Sequence, residues 1–575
     1  MECATSQFIN SRQSDVFYST PLLLSLKLLA VGGMSRLWQP ILSNPMRVPR
    51  INVRIRTKTF YSTINKSGLR YSIDNTPFQS AGPCSTGLFG YDSLRGPDEL
   101  TKAAYDCIRQ ASQLVELVGK DEPNSSHLVV KRIDRLSDVL CTVLDACELL
   151  RNIHPDPKWI EAAESSFALL HNYLNKLNTN DALYSALKKA RRGMSSGSQG
   201  DKVADLLLTD FEKSGIHMPV KSRNRFVALN DTIQQLGQQF SNSAFPHEQT
   251  VTFDNAYVEL DGVPRRVVKS LVEETNSSNT AVVHVDSEIA NLILRTARNP
   301  ETRSRMFSAM NSASTGQIQT LEELLKARAD LANLLEKESY AQYFLKDKMV
   351  QTPERLSRFL DNLAKSNRSP SQLEVAQLDD IRNQKYPGSR PVLTSDRLFY
   401  SQHLLSSSAT KLEGLLAPYF SVGNTFEGIS SILESIYGVF LQPERILPGE
   451  VWHPDVKKLS VVHLREGRIG TIYCDLYERK ESEMRKYDNA AHFTVRCSRR
   501  VDDDEPLSTG YMKSINSERI SYENGSKKRY QLPIVVLSTN FDKPYNGNPC
   551  LLSLPEIDTL FHEMGHAMHC NFTLM

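Results

Sequence analysis

The chain has 575 residues, 40% of them apolar and 23% charged, which is too long for one hydrophobic core and too rich in apolar side chains for a disordered polymer. Its 68 Lys+Arg and 66 Asp+Glu nearly cancel, but unevenly: residues 1–73 carry ten basic residues and two acids, which leaves 58 basic and 64 acidic residues, net −6, in the rest. An acidic body without an aromatic and basic surface motif argues against nucleic-acid binding, and nine cysteines with no C-x-x-C pair argue against a disulfide framework.

From Val16 to Ser72 there is no acid, while Ser, Thr and scattered Arg recur, as in "MSRLWQPILSNPMRVPRINVRIRTKTFYSTINKSGLR". That is the composition of a mitochondrial transit segment, and residues 1–73 are expected to be a disordered leader cleaved between Arg56 and Tyr71. The apolar stretch "PLLLSLKLLAVGG" also resembles a secretory signal, but Lys27 interrupts it, no basic run precedes it, and it is too short to span a bilayer. Met34 opens the basic part, so residues 1–33 read as an upstream extension. Unpaired thiols suit an organelle matrix or cytosol.

"GPDELTKAAYDCIRQASQLVELVGK" starts with Pro97 and two acids and then repeats apolar residues at helical spacing. "SSHLVVKRIDRLSDVLCTVLDACELLRNIHPDP" does the same up to a proline-rich stop. These predict antiparallel helices. "KKARRGMSSGSQG" (188–200) reads as an exposed turn open to proteolysis, because nothing aromatic accompanies its charge. In "TLEELLKARADLANLLEKESYAQYFL", Leu321, Leu324, Leu325, Leu331, Leu334 and Leu335 form a helical stripe expected to pack in a core.

Beyond Val451 the texture changes. "RIGTIYCDLYERK", "AAHFTVRC" and "QLPIVVLSTNF" are rich in β-branched and aromatic residues and predict strands. They lead into "LLSLPEIDTLFHEMGHAMH", where Ser553 as cap, Pro555 in the first turn and Glu556 three residues after the cap mark a helix start.

That helix carries the chemistry. His562 and His566 are four residues apart, so their imidazoles project from one face and can share a Zn²⁺ ion as neutral nitrogen donors. Glu563 follows the first histidine and is placed to take a proton from water at the metal, the combination used for amide hydrolysis. The apolar Leu560, Phe561, Met564 and Ala567 are expected to bury the helix around the pair, and His569 reads as a supporting or packing histidine rather than a ligand.

The blocks "FEKSGIHMP", "KARADLANLLEKESYAQYFLKDKM", "GTIYCDLYERK", "QLPIVVLSTNF" and "LLSLPEIDTLFHEMGHAMH" resemble, in order, the thimet oligopeptidase family of zinc peptidases, from about Leu88 to His569. The resemblance implies a mainly α, two-lobed helical peptidase fold with a central channel and a small β-sheet beside the H-E-x-x-H helix. It divides the body into an N-terminal helical lobe (74–330) and a catalytic lobe (331–575). It also implies a zinc metalloendopeptidase that trims N-terminal peptides from imported precursor proteins in the mitochondrial matrix, with His562 and His566 binding zinc and Glu563 activating water. Peptide or precursor substrates with basic presequences are the expected partners, with no nucleic acid, no membrane span and a monomeric state. The strand "QLPIVVLSTNF" is expected to lie where substrate backbone can pair.

The family continues past this helix to a glutamate that is the third zinc ligand, and then to Tyr and His residues that stabilise the oxyanion. "CNFTLM" does not resemble that continuation, and no residue after His569 can serve as the glutamate, so the third ligand is expected to be absent from this chain. A catalytically inactive truncated isoform or fragment, and a cytosolic or plastid oligopeptidase of the same family, are the alternative readings.

Overall fold

In the computed structural model, local signals set the first elements where the sequence places them. The structure describes residues 62–74 and, from 86 to 572, all but 121–125, 195–198, 244–248, 276–277, 286, 389, 407–415, 480–489, 503, 506, 508–511, 513–517, 524–525 and 545–547. Residues 1–61, which hold most of the basic leader, lie outside the described residues.

Helix α1 spans Ser62–Asp74 and α2 spans Pro97–Gly119. In α2, Pro97 fills a first-turn position where no amide hydrogen is needed, and Asp98 and Glu99 face the positive end of the helix dipole. Leu100, Ala104, Cys107, Ala111, Leu114 and Val118 form its buried stripe. Helices α3 (Ser126–Ile153), α4 (Pro157–Asn178), α5 (Asp181–Arg192) and α6 (Gln199–Lys213) follow. Asp156 and Asn180 cap α4 and α5 by accepting from amide groups of the first turn. Lys188–Arg192 lie inside α5, so the turn expected over 188–200 is shorter than its composition suggests, and 195–198 fall outside the described residues.

Helix α7 (Val220–Ser243), β1 (Thr250–Phe253), α8 (Arg265–Glu274), β2 (Ala281–His284), α9 (Glu288–Thr296), α10 (Pro300–Met310), α11 (Thr315–Leu334), α12 (Pro353–Lys385) and α13 (Arg397–Ser406) make the middle of the chain. Helix α11 packs on α7 through Leu324, Ala327 and Leu331 against Phe226 and Ile233. Leu321 and Leu325, expected in the same stripe, are instead exposed. The contact face of α11 runs through 324, 327 and 331, and the pair at 321 and 325 sits on its flank, beyond the width that one packed neighbour covers. Arg303 is buried; its Nε and Nη2 donate to Asp396 at 3.0 and 2.7 Å, its Nη1 donates to the Ala297 and Arg298 carbonyls, and its guanidinium lies 4.2 Å over the Phe399 ring. Removing Asp396 would strand the Arg303 charge in the interior, whereas Asp396 also accepts from Arg390 at 2.8 Å.

The rest is α14 (Val422–Tyr437), eight strands and a last helix: β3 (Val439–Pro443), β4 (Lys457–His463), β5 (Gly467–Tyr477), β6 (Ala491–Arg496), β7 (Arg499–Arg500), β8 (Glu518–Glu523), β9 (Ser526–Gln531), β10 (Ile534–Phe541) and α15 (Leu554–Phe572). The main sheet has the order β3-β4-β5-β10-β6, with β10 parallel to β5 and the other pairs antiparallel; β7, β9 and β8 form a separate ribbon. The three stretches predicted as strands are β5, β6 and β10.

Period-two alternation on the central strands makes three layers. Val535 and Leu537 of β10, with Ile472 and Cys474 of β5, pack against α1, α14 and α15, while Ile534, Val536 and Tyr473 face the core of α2–α6. The chain accordingly divides into one unit of residues 1–217 and 416–575 and another of 218–415, boundaries that do not follow the expected 330/331 division. The long-range packing of α2–α6 on the sheet joins the early helices to the last strands. The fold is mainly α, and among the described residues no helix is long and apolar enough to cross a membrane.

Residues 62–73 correct the reading of 1–73 as a disordered leader. They form α1, whose Leu69 and Ile73 are buried in the core shared with α14 and the sheet. Asp74 fixes the helix end by accepting from Ser421 Oγ and the Gly423 amide, both at 2.8 Å.

His154, between α3 and α4, gives the fold a pH dependence. It is buried and stacked on Trp159, and its Nδ1 accepts from the Asp156 amide at 3.0 Å. Burial is the main cause that lowers its pKa from 6.5 to about 4. Between these values the unfolded chain binds a proton that the folded chain refuses, so stability is full above pH ~6.5 and falls as the pH drops towards ~4, by roughly 3 kcal/mol from this group. Denaturant titrations across this range should show that slope, and His154→Asn, which keeps an acceptor, should lose it.

Candidate metal centre

Helix α15 begins as its sequence predicts. The Ser553 amide donates to Glu556 Oε2 at 2.7 Å and the Ser553 hydroxyl donates to the same oxygen at 2.6 Å, so the glutamate ties down the entry to the first turn. Leu560, Met564, Ala567 and Met568 are buried against the sheet, which fixes the rotation of the helix about its axis; Phe561, expected in that face, is exposed instead. Gly470 of β5 permits the far end to lie down. A Cβ there would overlap the Asn571 carboxamide and come within 3.0 Å of Pro533 Cγ.

With the apolar face committed, the motif residues take the adjoining face. His562 and His566 converge, with Nε2 atoms 3.1 Å apart and rings nearly perpendicular. Two imidazole nitrogens bound to one tetrahedral zinc at about 2.0–2.1 Å stand about 3.3 Å apart, so the pair fits as two donors to that ion. Burial of part of the ring, and then the neighbouring His492, lower the pKa of His566 and keep it in the neutral form that can donate a lone pair. Glu563 is 8% exposed and turned towards β6. Among the described residues no group of three His, Cys, Asp or Glu side chains is arranged to hold a metal, so the helix supplies two donors. His569, expected as a supporting or packing histidine, is exposed.

The sequence reading missed His492. It lies in β6, its ring stacks on His566 at 4.4 Å between centroids and 11° between planes, and its Nδ1 is 3.4 Å from Glu563 Oε2. A signal was present: in "AAHFTVRC" the alternate positions His492 and Thr494 are polar, a polar strand face just ahead of the motif helix, and Thr494 Oγ1 lies 3.4 Å from Cys570 Sγ. Substrate backbone is expected to pair near "QLPIVVLSTNF", which contains β10. Strand β10 is hydrogen-bonded on both sides, by β5 and β6, so it cannot accept another strand; the neighbouring edge is β6.

A helix that presents two convergent imidazoles and an adjacent carboxylate, laid on a sheet with β6 at its edge, is the arrangement of a zincin-type metallopeptidase centre. The family model described as Peptidase family M3 matches residues 293–574. Over 514 residues the chain is 38% identical to mitochondrial intermediate peptidase 2 of Cryptococcus neoformans, covering 84% of this chain and 62% of that protein. It is 38% identical over 510 residues to the mitochondrial intermediate peptidase of Malassezia globosa and 36% identical over 493 residues to that of Yarrowia lipolytica, with the same coverage of 84% and 62%. The chain thus spans 62% of the length of these curated relatives.

Proposed function

We propose that this protein is a zinc-dependent endopeptidase that trims N-terminal segments from precursor proteins imported into mitochondria, acting in the matrix. The observation that carries the chemistry is the 3.1 Å approach of the His562 and His566 nitrogens beside the buried Glu563. A bound zinc ion would polarise the scissile carbonyl and make water acidic enough to be deprotonated near neutral pH. His562 and His566 hold nitrogen donors on one face. Glu563 accepts the proton from water and passes it to the departing amine. Among the described residues β6 is an edge strand, and its outer edge would offer backbone groups to an extended substrate. The names of the relatives and the acid-free leader favour the mitochondrion over cytosol or plastid, and the net charge of −6 outside residues 1–73 suits basic presequences. The test is cleavage of a quenched fluorescent peptide and of an imported precursor, abolished by a chelator and restored by Zn²⁺. Cleavage indifferent to chelation would overturn the reading.

Within the expected window of Arg56 to Tyr71, α1 supports leader removal at its early end. Cutting at Tyr71 would take Leu69 out of a core it shares with Phe426 and Val439, at a cost of a few kcal/mol. The mature chain is therefore expected to begin before Ser62. N-terminal sequencing of protein recovered from mitochondria checks this, and a start at or beyond Leu69 would contradict it.

A further inference from the structure

We propose that His492 is a positioning residue of the metal centre, holding Glu563 through its Nδ1–H and fixing the ring of His566 by stacking. The inference rests on the metal-centre reading above and adds a residue that lies outside the H-E-x-x-H motif.

Three observations carry it. First, the register of β6 leaves little choice of direction. His492 lies opposite Leu537 of β10, and its i+2 neighbour Thr494 contacts Cys570, so this face of the strand points at α15. Second, Glu563 is almost fully buried, and a carboxylate removed from water needs a donor. Among the described residues His492 is the one side chain within hydrogen-bond range of it. A carboxylate can only accept, so the proton of the contact sits on the histidine Nδ1. Third, the final torsion of a histidine side chain is soft, with broad minima, so α15 alone does not dictate where the His566 Nε2 points. A parallel ring at 4.4 Å restricts that rotation, and the Nε2 faces its counterpart on His562. A residue kept only for packing would touch apolar neighbours; His492 instead touches two of the three motif residues while its side chain stays 32% exposed at the sheet edge.

Variants separate the two contacts. His492→Phe keeps a ring and removes the donor, His492→Gln keeps a donor and removes the ring, and His492→Ala removes both. Zn²⁺ affinity is measured on the full chain by competition with a chromophoric chelator, with circular dichroism to verify folding and Thr494→Val as a control on the same strand face. Loss of a group that orients a ligand weakens metal binding by about 10- to 100-fold. His492→Ala and His492→Gln are expected to fall in that range, while His492→Phe and Thr494→Val stay near the parent. In peptide cleavage His492→Phe should lower kcat with KM unchanged, because Glu563 loses its donor. Parent-like affinity in His492→Ala would overturn the proposal, and so would an equal loss in His492→Phe and His492→Ala. If His492→Ala does not fold, the Phe and Gln variants decide. Absence of Zn²⁺ binding by the parent chain would instead bring down the metal-centre reading itself.

Discussion

Replacing Glu563 with Gln is expected to lower kcat for peptide cleavage by about 10²- to 10⁴-fold, with KM and zinc content close to those of the parent. Gln keeps the shape of the side chain and its place beneath β6, but cannot take a proton at neutral pH. The carboxylate is not counted among the two donors that converge on the metal position, so the ion should remain. Steady-state kinetics with metal analysis on the same preparation check the prediction. Loss of zinc together with activity would show that Glu563 acts as a ligand rather than as a base.

The second large effect concerns binding. His562→Ala or His566→Ala removes one of two convergent nitrogens and should abolish stoichiometric zinc uptake, since a single imidazole on an open helix face cannot compete with water and buffer. The loss has a stability readout that does not depend on turnover. A ligand present at about one hundred times its dissociation constant stabilises the folded state by about 2.7 kcal/mol. The parent should therefore melt higher with added Zn²⁺, and neither variant should respond. A preserved response in both would place the metal elsewhere.

The helix geometry of the candidate site was largely legible because its information is local. An i, i+4 histidine pair with an interposed glutamate specifies a helix face whatever surrounds it, and Ser553 and Glu556 mark where that helix starts. Helices α2 and α3 and strands β5, β6 and β10 were legible for the same reason, through caps and periodicity. What the sequence did not disclose depends on which elements become neighbours. Alternation in "QLPIVVLSTNF" reveals a strand, but not that both its edges would be occupied. Apolar residues at 321 and 325 extend a helical stripe, but only the packed α7 decides how wide a stripe is covered. His492 looked like an ordinary strand residue because its meaning comes from Glu563 and His566, more than seventy positions away. The basic tone of residues 1–73 concealed α1, since composition does not register Leu69 and Ile73 finding a core in α14 and the sheet.

X-ray absorption at the zinc edge of the chain loaded with one equivalent of Zn²⁺ tests the central claim most directly. Scattering from nitrogen and oxygen at about 2.0–2.1 Å with the outer-shell pattern of two imidazoles is expected, and it should be lost in His566→Ala, which no longer takes up stoichiometric zinc. Sulfur scattering at about 2.3 Å, or a spectrum unchanged by that substitution, would contradict it.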